Sequence, residues 1–259
     1  MRYSFATRIL SCVLFLFIIF SCTKKTEIYQ TESINDYLPT VVGKYITYRI
    51  DSTIYTNFGT TSEVHSYQMK YVVDAQIDDN LGRPSFRVYR YIRDTAGTQA
   101  WAPIYNNSTY FVTPLSGQIE VVENNLRFIK LHAPVRDGFS WKGDSYLPFD
   151  PYSSIYQFAN DDEMQDWDFY FDHFENSLSY RGNNYSNVYT IEEVDESLNF
   201  PVINANSYGY VNRAVEKYSK NIGLVYREYQ MVEHQPPNLV NPFPYNIGFA
   251  LKMWMIDHN

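Results

Sequence analysis

The stretch Tyr-Gln-Met-Lys-Tyr-Val-Val-Asp-Ala-Gln-Ile-Asp at residues 67–78 alternates between two kinds of side chain. Every second position is apolar or aromatic, and the positions between them are almost all polar. A period of two is the pattern of a β-strand with one face in a core and the other in water. Aromatic side chains also favour the pleated surface of a sheet. Residues 67–78 therefore predict a long, half-buried strand.

The same alternation recurs along the chain and predicts an antiparallel sheet. Turn residues at 79–84 and a hairpin signal at 219–223 separate the apolar runs, and helical periodicity is confined to 33–38 and 152–160. The further strands are predicted at residues 46–54, 86–92, 188–194, 213–218, 224–232 and 249–256. We predict a mainly β fold, built as a sandwich or a curved half-open barrel with few short helices.

The N-terminus has the composition of an export signal. Arg2 and Arg8 give it a basic start, and residues 9–20 are almost wholly apolar. This apolar run is shorter than the roughly 20 residues that a membrane-spanning helix needs. We therefore predict a signal that is cleaved after export.

The sequence Ile19-Phe20-Ser21-Cys22 at the end of this segment resembles the lipobox of bacterial lipoproteins. In that family the cysteine receives acyl chains such as palmitate and becomes the new N-terminus. Two or more acyl chains anchor a protein stably in a membrane. The resemblance implies a cleaved lipoprotein signal at 1–21, lipidation of Cys22 and attachment to a membrane through the N-terminal lipid.

Cysteine content and charge narrow the function further. Cys12 lies inside the signal, so the mature chain keeps only Cys22 and can form neither an internal disulfide nor a thiolate metal cluster. Loss of Arg2 and Arg8 with the signal moves the formal net charge from −8 to −10. Nucleic acid is excluded as a partner, because its binding depends on clustered Lys and Arg.

The mature chain divides into a short tether and one domain. Residues 22–35 are polar and predict a tether, and residues 36–259 predict a single mainly β domain. The stretch 146–168 has the least regular pattern and is interpreted as an insertion or a lid. Its acidic run at 160–168 does not have the spacing of a calcium loop. We predict no metal site there, but a solvated loop that becomes a strand at Asp166.

Catalytic motifs do not fit this chain. The segment from Gly138 to Gly143 has one residue too many for a Gly-x-Ser-x-Gly nucleophile elbow. We expect it instead to hold Phe139 and Trp141 together as an aromatic pair. The five histidines are scattered, and no phosphate-binding glycine loop is present. We predict a non-catalytic protein without a cofactor. The alternative is a carboxylate-based hydrolase, for which the sequence cannot choose among Glu192, Glu193, Asp195, Glu216 and Glu228.

Three segments, at residues 39–45, 134–143 and 218–228, are similar to motifs of uncharacterised envelope lipoproteins of the Bacteroidota type, and they follow one another in the same order along the chain. The resemblance implies an envelope location and brings no reaction, cofactor or catalytic residue. In that family an acidic stretch after the lipidated cysteine can direct export to the cell surface. Residues 23–26 are Thr-Lys-Lys-Thr, which are not acidic. We therefore predict an outer membrane lipoprotein that faces the periplasm.

Two non-enzymatic functions remain open. A scaffold or accessory subunit would present an exposed apolar patch to an envelope protein partner. A small-molecule binder would have a concave site of roughly 300 to 1,000 Å³ with aromatic walls. Such a site would hold a glycan stacked on Trp101, Tyr105 and Tyr110, or a lipid acyl chain inside the half-open barrel.

Overall fold

The computed structural model describes residues 32–105 and 108–259. The predicted signal peptide, Cys22 and most of the predicted tether lie outside these residues. The described chain forms one antiparallel sheet of 13 strands. The strands are β1 (Tyr45–Thr56), β2 (Thr61–Asp78), β3 (Pro84–Asp94), β4 (Ala102–Pro103), β5 (Thr109–Pro114), β6 (Gln118–Glu123), β7 (Leu126–His132), β8 (Ser140–Trp141), β9 (Phe169–Tyr180), β10 (Asn183–Leu198), β11 (Gly209–Ser219), β12 (Gly223–Gln235) and β13 (Tyr245–His258).

The sheet curls into a half-open barrel. Its strand order is β7-β6-β5-β3-β2-β1-β13-β12-β11-β10-β9-β8, and β4 pairs with β3 outside this path. The two ends of the path meet, because the amide of Ile129 in β7 donates to the carbonyl of Gly143 beyond β8, at 2.7 Å. The indole of Trp141 in β8 donates in turn to the carbonyl of Ile129, at 2.8 Å. The fold class predicted from the alternating pattern is confirmed, in its curved form.

The barrel has two chemically different ends. We call one the entry end; it carries residues 38–44 and the turns 79–83 and 220–222. The chain reaches this end at Glu32, which binds Lys220 at 2.8 Å. We call the opposite end the far end; it carries the loops 57–60, 199–208 and 236–244.

Residues 32–38 pack against the entry end. Ile34 and Tyr37 are buried in the core, and a 3-10 helix spans Ile34–Asp36. The packed domain therefore begins at Ile34 or before it. This is earlier than the predicted domain start at residue 36. Every strand pair and core cluster that the structure describes lies within residues 32–259, and this part of the chain forms one compact unit.

The segment 142–168 connects β8 to β9 and packs inside the far half of the barrel. Tyr152 and Tyr156 contact the ring of Phe249 in β13, at 5.8 and 5.5 Å between ring centroids. The helix predicted at 152–160 is wrong, because this segment forms only turns, bends and irregular structure. The only helix in the segment is a 3-10 turn at Met164–Asp166.

The acidic run differs from its predicted solvated loop. Asn160 and Asp161 are buried, although the carboxylates that follow are mostly exposed. The side-chain amide of Asn160 donates to the backbone carbonyls of Val211 and Val232, both at 3.1 Å. The run is therefore partly a structural connection to β11 and β12. Across the residues that the structure describes, no three His, Cys, Asp or Glu side chains converge as metal ligands.

Candidate ligand site in the barrel lumen

A layer of ion pairs crosses the lumen. The ammonium of Lys130 in β7 lies 2.6 Å from Glu193 Oε1 in β10 and 3.3 Å from Glu216 Oε1 in β11. Arg227 in β12 binds Glu216 at 2.7 Å and lies 3.7 Å from Glu123 in β6. The layer therefore joins strands from both halves of the sheet across the barrel.

Period-two alternation explains why these groups face inward. Glu216 shares its face of β11 with Ala214 and Tyr218, which are buried. Arg227 shares its face of β12 with Tyr229 and with the buried Met231. A charged residue on an otherwise apolar strand face is the sequence signal that could have located the site.

The ion pairs set the protonation of the layer. Burial raises the pKa of Glu216, but Lys130 and Arg227 outweigh it and bring that pKa to about 2. Burial likewise lowers the pKa of Lys130, but the carboxylates of Glu193 and Glu216 hold it above its ordinary value. For Glu193, burial outweighs the attraction of Lys130 and raises the pKa. Glu216 differs because it has two cations and the Tyr218 hydroxyl, at 2.5 Å, as partners.

Asp144 lies beside this layer without a hydrogen-bond partner for its carboxyl group among the described residues. Its side chain is buried, with 1% of the residue exposed. Burial, and next the negative charge of Glu193, raise the pKa of Asp144 to about 8. The fold therefore keeps this carboxyl group protonated at neutral pH.

A first cavity, the entry cavity, lies between the ion-pair layer and the entry end. Its volume is about 70 Å³, measured as space open to the centre of a water molecule. Aliphatic residues, among them Leu38, Ile46, Ile222 and Leu224, line its outer part. Tyr48, Tyr71, Tyr110 and Tyr218 form aromatic walls, and Glu123, Lys130 and Arg227 form its floor.

The tyrosines of the entry cavity are fixed by their own contacts. The Tyr48 hydroxyl donates to the carbonyl of Leu224 at 2.9 Å. The Tyr71 ring lies 5.0 Å from Tyr48 and 5.7 Å from Tyr110, between centroids. Lys44 stands at the rim and donates to main-chain oxygens of Asn221 and Asn259. The cavity thus has rigid aromatic walls and a mouth framed by aliphatic side chains.

A second cavity, the inner cavity, lies on the far side of the same layer. Its volume is about 190 Å³ on the same measure. Phe128, Tyr152, Tyr229 and Phe249 supply aromatic walls, and Lys130, Glu193, Glu216 and Arg227 face it from the layer. The charged layer therefore divides the lumen into two chambers. Each volume is below the roughly 300 Å³ at which a typical ligand site begins.

The structure does not bring together the three aromatic residues considered for glycan stacking. Trp101 lies under the guanidinium of Arg93, 4.2 Å from the ring centroid. Tyr105 is 88% exposed on the outside. Tyr110 instead lines the entry cavity. The aromatic pair of residues 138–143 is found as predicted, since Phe139 and Trp141 stack with 6.3 Å between centroids.

The five candidate carboxylates separate into two groups. Glu193 and Glu216 face the lumen and share the ammonium of Lys130. The others lie in contacts outside this pair. Glu192 accepts from the Tyr170 hydroxyl at 2.5 Å. Asp195 and Glu228 both pair with Arg213, and Glu228 also binds Lys252 at 3.0 Å. Lys130 stands between the two lumen carboxylates, where a hydrolase would need room for its substrate.

No protein-family model and no curated protein matches this chain. Solved structures of similar fold include an exported protein with a YMCC-like fold from Bacteroides fragilis, at 12% identity and a TM-score of 0.42. That alignment covers 85% of this chain and 97% of the other. Lipovitellin aligns with 85% of this chain over 26% of its own length, at 9% identity and a TM-score of 0.33.

An outer membrane lipoprotein-sorting protein domain from Vibrio parahaemolyticus is similar over 84% of this chain and 85% of its own, at 11% identity and a TM-score of 0.18. Within residues 32–105 and 108–259, no helix is long and apolar enough to cross a membrane.

Proposed function

We propose that this chain is a lipid-anchored envelope lipoprotein whose barrel holds an apolar ligand, such as an acyl chain, without catalysing a reaction. The observation that supports it is the entry cavity, with its aromatic walls and aliphatic mouth. Protein interiors are normally packed with few voids larger than a water molecule. A cavity of about 70 Å³ has room for about five waters, yet most of its wall offers them no hydrogen bonds. An apolar chain suits such walls better.

The charges at the floor favour an uncharged group at the inner end of the ligand. Lys130 and Arg227 are neutralised by Glu193, Glu216 and Glu123 within the layer. A negatively charged group on the ligand would have to displace one of these buried carboxylates, at a cost in desolvation. We therefore expect the apolar end of an amphiphile to enter, with its polar head near Lys44 at the rim. Because the cavity is small, a longer chain requires the aliphatic mouth to move apart.

Filling the entry cavity should abolish ligand binding. Val112 is buried and lines the cavity, and Val112→Phe would place a ring in most of its volume. We expect this variant to bind a fluorescent fatty acid at least about tenfold more weakly than wild type, by loss of burial for several methylenes. The measurement is a titration of probe fluorescence with purified protein.

The control is Val64→Phe, since Val64 is 63% exposed and takes no part in the entry cavity. It should bind the probe as wild type does. Val88→Leu adds less volume at the cavity wall and should weaken binding less than Val112→Phe. Equal binding by wild type, Val112→Phe and Val64→Phe would remove the support for a lumen ligand.

The anchor is tested separately at Cys22. Mass spectrometry of the N-terminal peptide from envelope preparations should show Cys22 as the first residue, carrying acyl chains. A Cys22→Ala chain should lack this acylated peptide, because the thiol that receives the lipid is gone. An unmodified N-terminus in the wild-type protein would contradict the lipoprotein assignment and leave the lumen experiment unaffected.

A further inference from the structure

The three loops of the far end contain no charged residue. Asp, Glu, Lys and Arg make up 19% of the chain, yet none occurs within residues 52–62, 197–212 or 235–251. These runs contain the three far-end loops and the strand ends that support them. At the entry end, by contrast, the turns 79–83 and 220–222 both carry charged side chains. The barrel is therefore polarised along its length.

Apolar side chains stand at the tips of these uncharged loops. We call them the far-end tips: Phe58, Ile203, Leu239, Val240 and Phe243. Their exposed fractions are 96, 92, 106, 94 and 66%. Large apolar side chains that are almost fully exposed, and gathered at one end of a molecule, mark a surface that contacts something apolar.

The loop 236–244 pairs most of its backbone amides within itself. Four of its nine residues are proline, which has no amide hydrogen. Of its five remaining amides, four donate within the loop: Asn238 to the carbonyl of Asn241, Val240 and Asn241 to the Asn238 side chain, and Phe243 to the Asn241 side chain. A loop of this kind can leave water without losing hydrogen bonds from most of its donors.

The loop 199–208 is built in the same way around one side chain. The Asn199 carboxamide donates to the carbonyls of Asn204, Ser207 and Tyr208, at 2.9, 3.1 and 3.4 Å. Its oxygen accepts from the amides of Ile203 and Asn204, at 3.2 and 3.1 Å. The exposed Ile203 is therefore held on a loop that does not depend on water for these bonds.

The far-end loops are joined into one surface. His234, which is buried, contacts the Asn246 side chain at 2.8 Å and the carbonyl of Ala205 at 3.2 Å. The amide of Asn246 donates to the carbonyl of Gly59 at 2.9 Å. His234 and Asn246 thus connect the loops 57–60, 199–208 and 236–244 by hydrogen bonds. The far-end tips therefore belong to one continuous surface.

The chemistry of this end favours a bilayer over a protein partner. Protein interfaces are enriched in Arg and have a polar rim, whereas the far-end loops have apolar tips and no charge. Charged groups are costly inside a membrane, and unsatisfied amides are too. The far-end loops carry no charge, and loop 236–244 pairs four of its five amides within itself. The chain is acidic overall, so an uncharged end is the part that can approach anionic headgroups without repulsion.

We propose that the far end docks on a phospholipid bilayer by inserting the far-end tips among the headgroups and upper acyl chains. This contact is separate from the proposed anchor. Residues 22–31 could reach at most about 36 Å from Glu32, and Glu32 lies at the opposite end of the barrel. Docking therefore does not require a lipid on Cys22.

The test uses residues 32–259, which form one compact unit with every described strand and contain no cysteine. Leu239→Cys and, as a matched control, Val41→Cys at the entry end (61% exposed) are each labelled with an environment-sensitive dye. Vesicles of phosphatidylcholine, alone or with phosphatidylglycerol, are then added. We expect a blue shift and higher intensity for the dye at 239 and no change at 41.

Flotation with the same vesicles gives an independent measurement. The unlabelled wild-type domain should float. A variant with serine at all five far-end tips should float at least about tenfold less, because the apolar area is lost. Its substitutions are Phe58→Ser, Ile203→Ser, Leu239→Ser, Val240→Ser and Phe243→Ser. Val41→Ser/Leu81→Ser, which removes exposed apolar residues from the entry end, should float as wild type does. A wild-type domain that fails to float with either vesicle overturns docking. So does equal loss in both variants, or a dimer that only the far-end variant dissociates.

Discussion

Replacing Lys130 with Met is expected to lower the free energy of unfolding by about 3–5 kcal/mol. Lys130, Glu193 and Glu216 have side chains that are 8, 4 and 3% exposed. Removal of the ammonium leaves two buried carboxylates facing each other without the cation that lies between them. Urea unfolding should show a lower midpoint with an unchanged slope, because the folded surface is otherwise the same.

Lys142→Met is the matched control. Lys142 pairs with Asp168 at 3.0 Å, but the two side chains are 48 and 62% exposed. Solvent screens such a pair, so we expect a loss of about 0–1 kcal/mol. In the double variant Lys130→Met/Glu193→Leu, Glu216 keeps Arg227 as its partner and much of the stability should return. Equal small losses from Lys130→Met and Lys142→Met would show that the layer does not hold the barrel together.

Asp144→Asn is expected to stabilise the protein at neutral and mildly alkaline pH. The pKa of Asp144 is raised to about 8 in the fold, whereas an unfolded chain releases this proton near pH 4. Between these values the folded state binds more protons than the unfolded state, so wild-type stability falls as the pH rises. The contribution of this one group is up to about 1.4 kcal/mol per pH unit.

Unfolding of both proteins across about pH 4 to 8 measures this effect. The gain from Asp144→Asn should be largest at the alkaline end and shrink towards pH 4, where the wild-type carboxyl group is protonated in both states. A constant difference between the two proteins across the range would contradict a buried, protonated Asp144.

The alternation is clearest in strands whose inward face is wholly apolar, although β10, β11 and β12 are also predicted and carry Glu193, Glu216 and Arg227 into the lumen. Residues 67–78 and 249–256 are examples, and both lie within strands of the barrel. The alternation does not predict strands β5 to β7, at 109–132. In β6 and β7 the buried residues include the charged Glu120 and Lys130, so burial does not follow an apolar period there. Arg83 and Arg127 satisfy Glu120 there, and sequence alone does not reveal such distant partners.

The lumen site could be predicted only in part for the same reason. Glu193 and Glu216 were among five equivalent carboxylates in the sequence. Their role depends on Lys130, which is 63 residues from Glu193 in the chain and reaches it only because the sheet closes. Tyr110 was singled out as an aromatic residue for a surface platform, yet it lines the entry cavity. Curvature of the sheet decides which face becomes the lumen, and the pattern of single strands does not encode it directly.

Native mass spectrometry of the full chain, extracted gently from its own envelope, bears most directly on a ligand in the lumen. We expect the wild-type protein to carry an apolar molecule that collisional activation releases, in addition to any acyl chains on Cys22. The same preparation of Val112→Phe should lack that molecule and keep the acyl chains. A wild-type protein that is free of any bound small molecule, or a Val112→Phe protein that carries the same molecule, would contradict the proposed function.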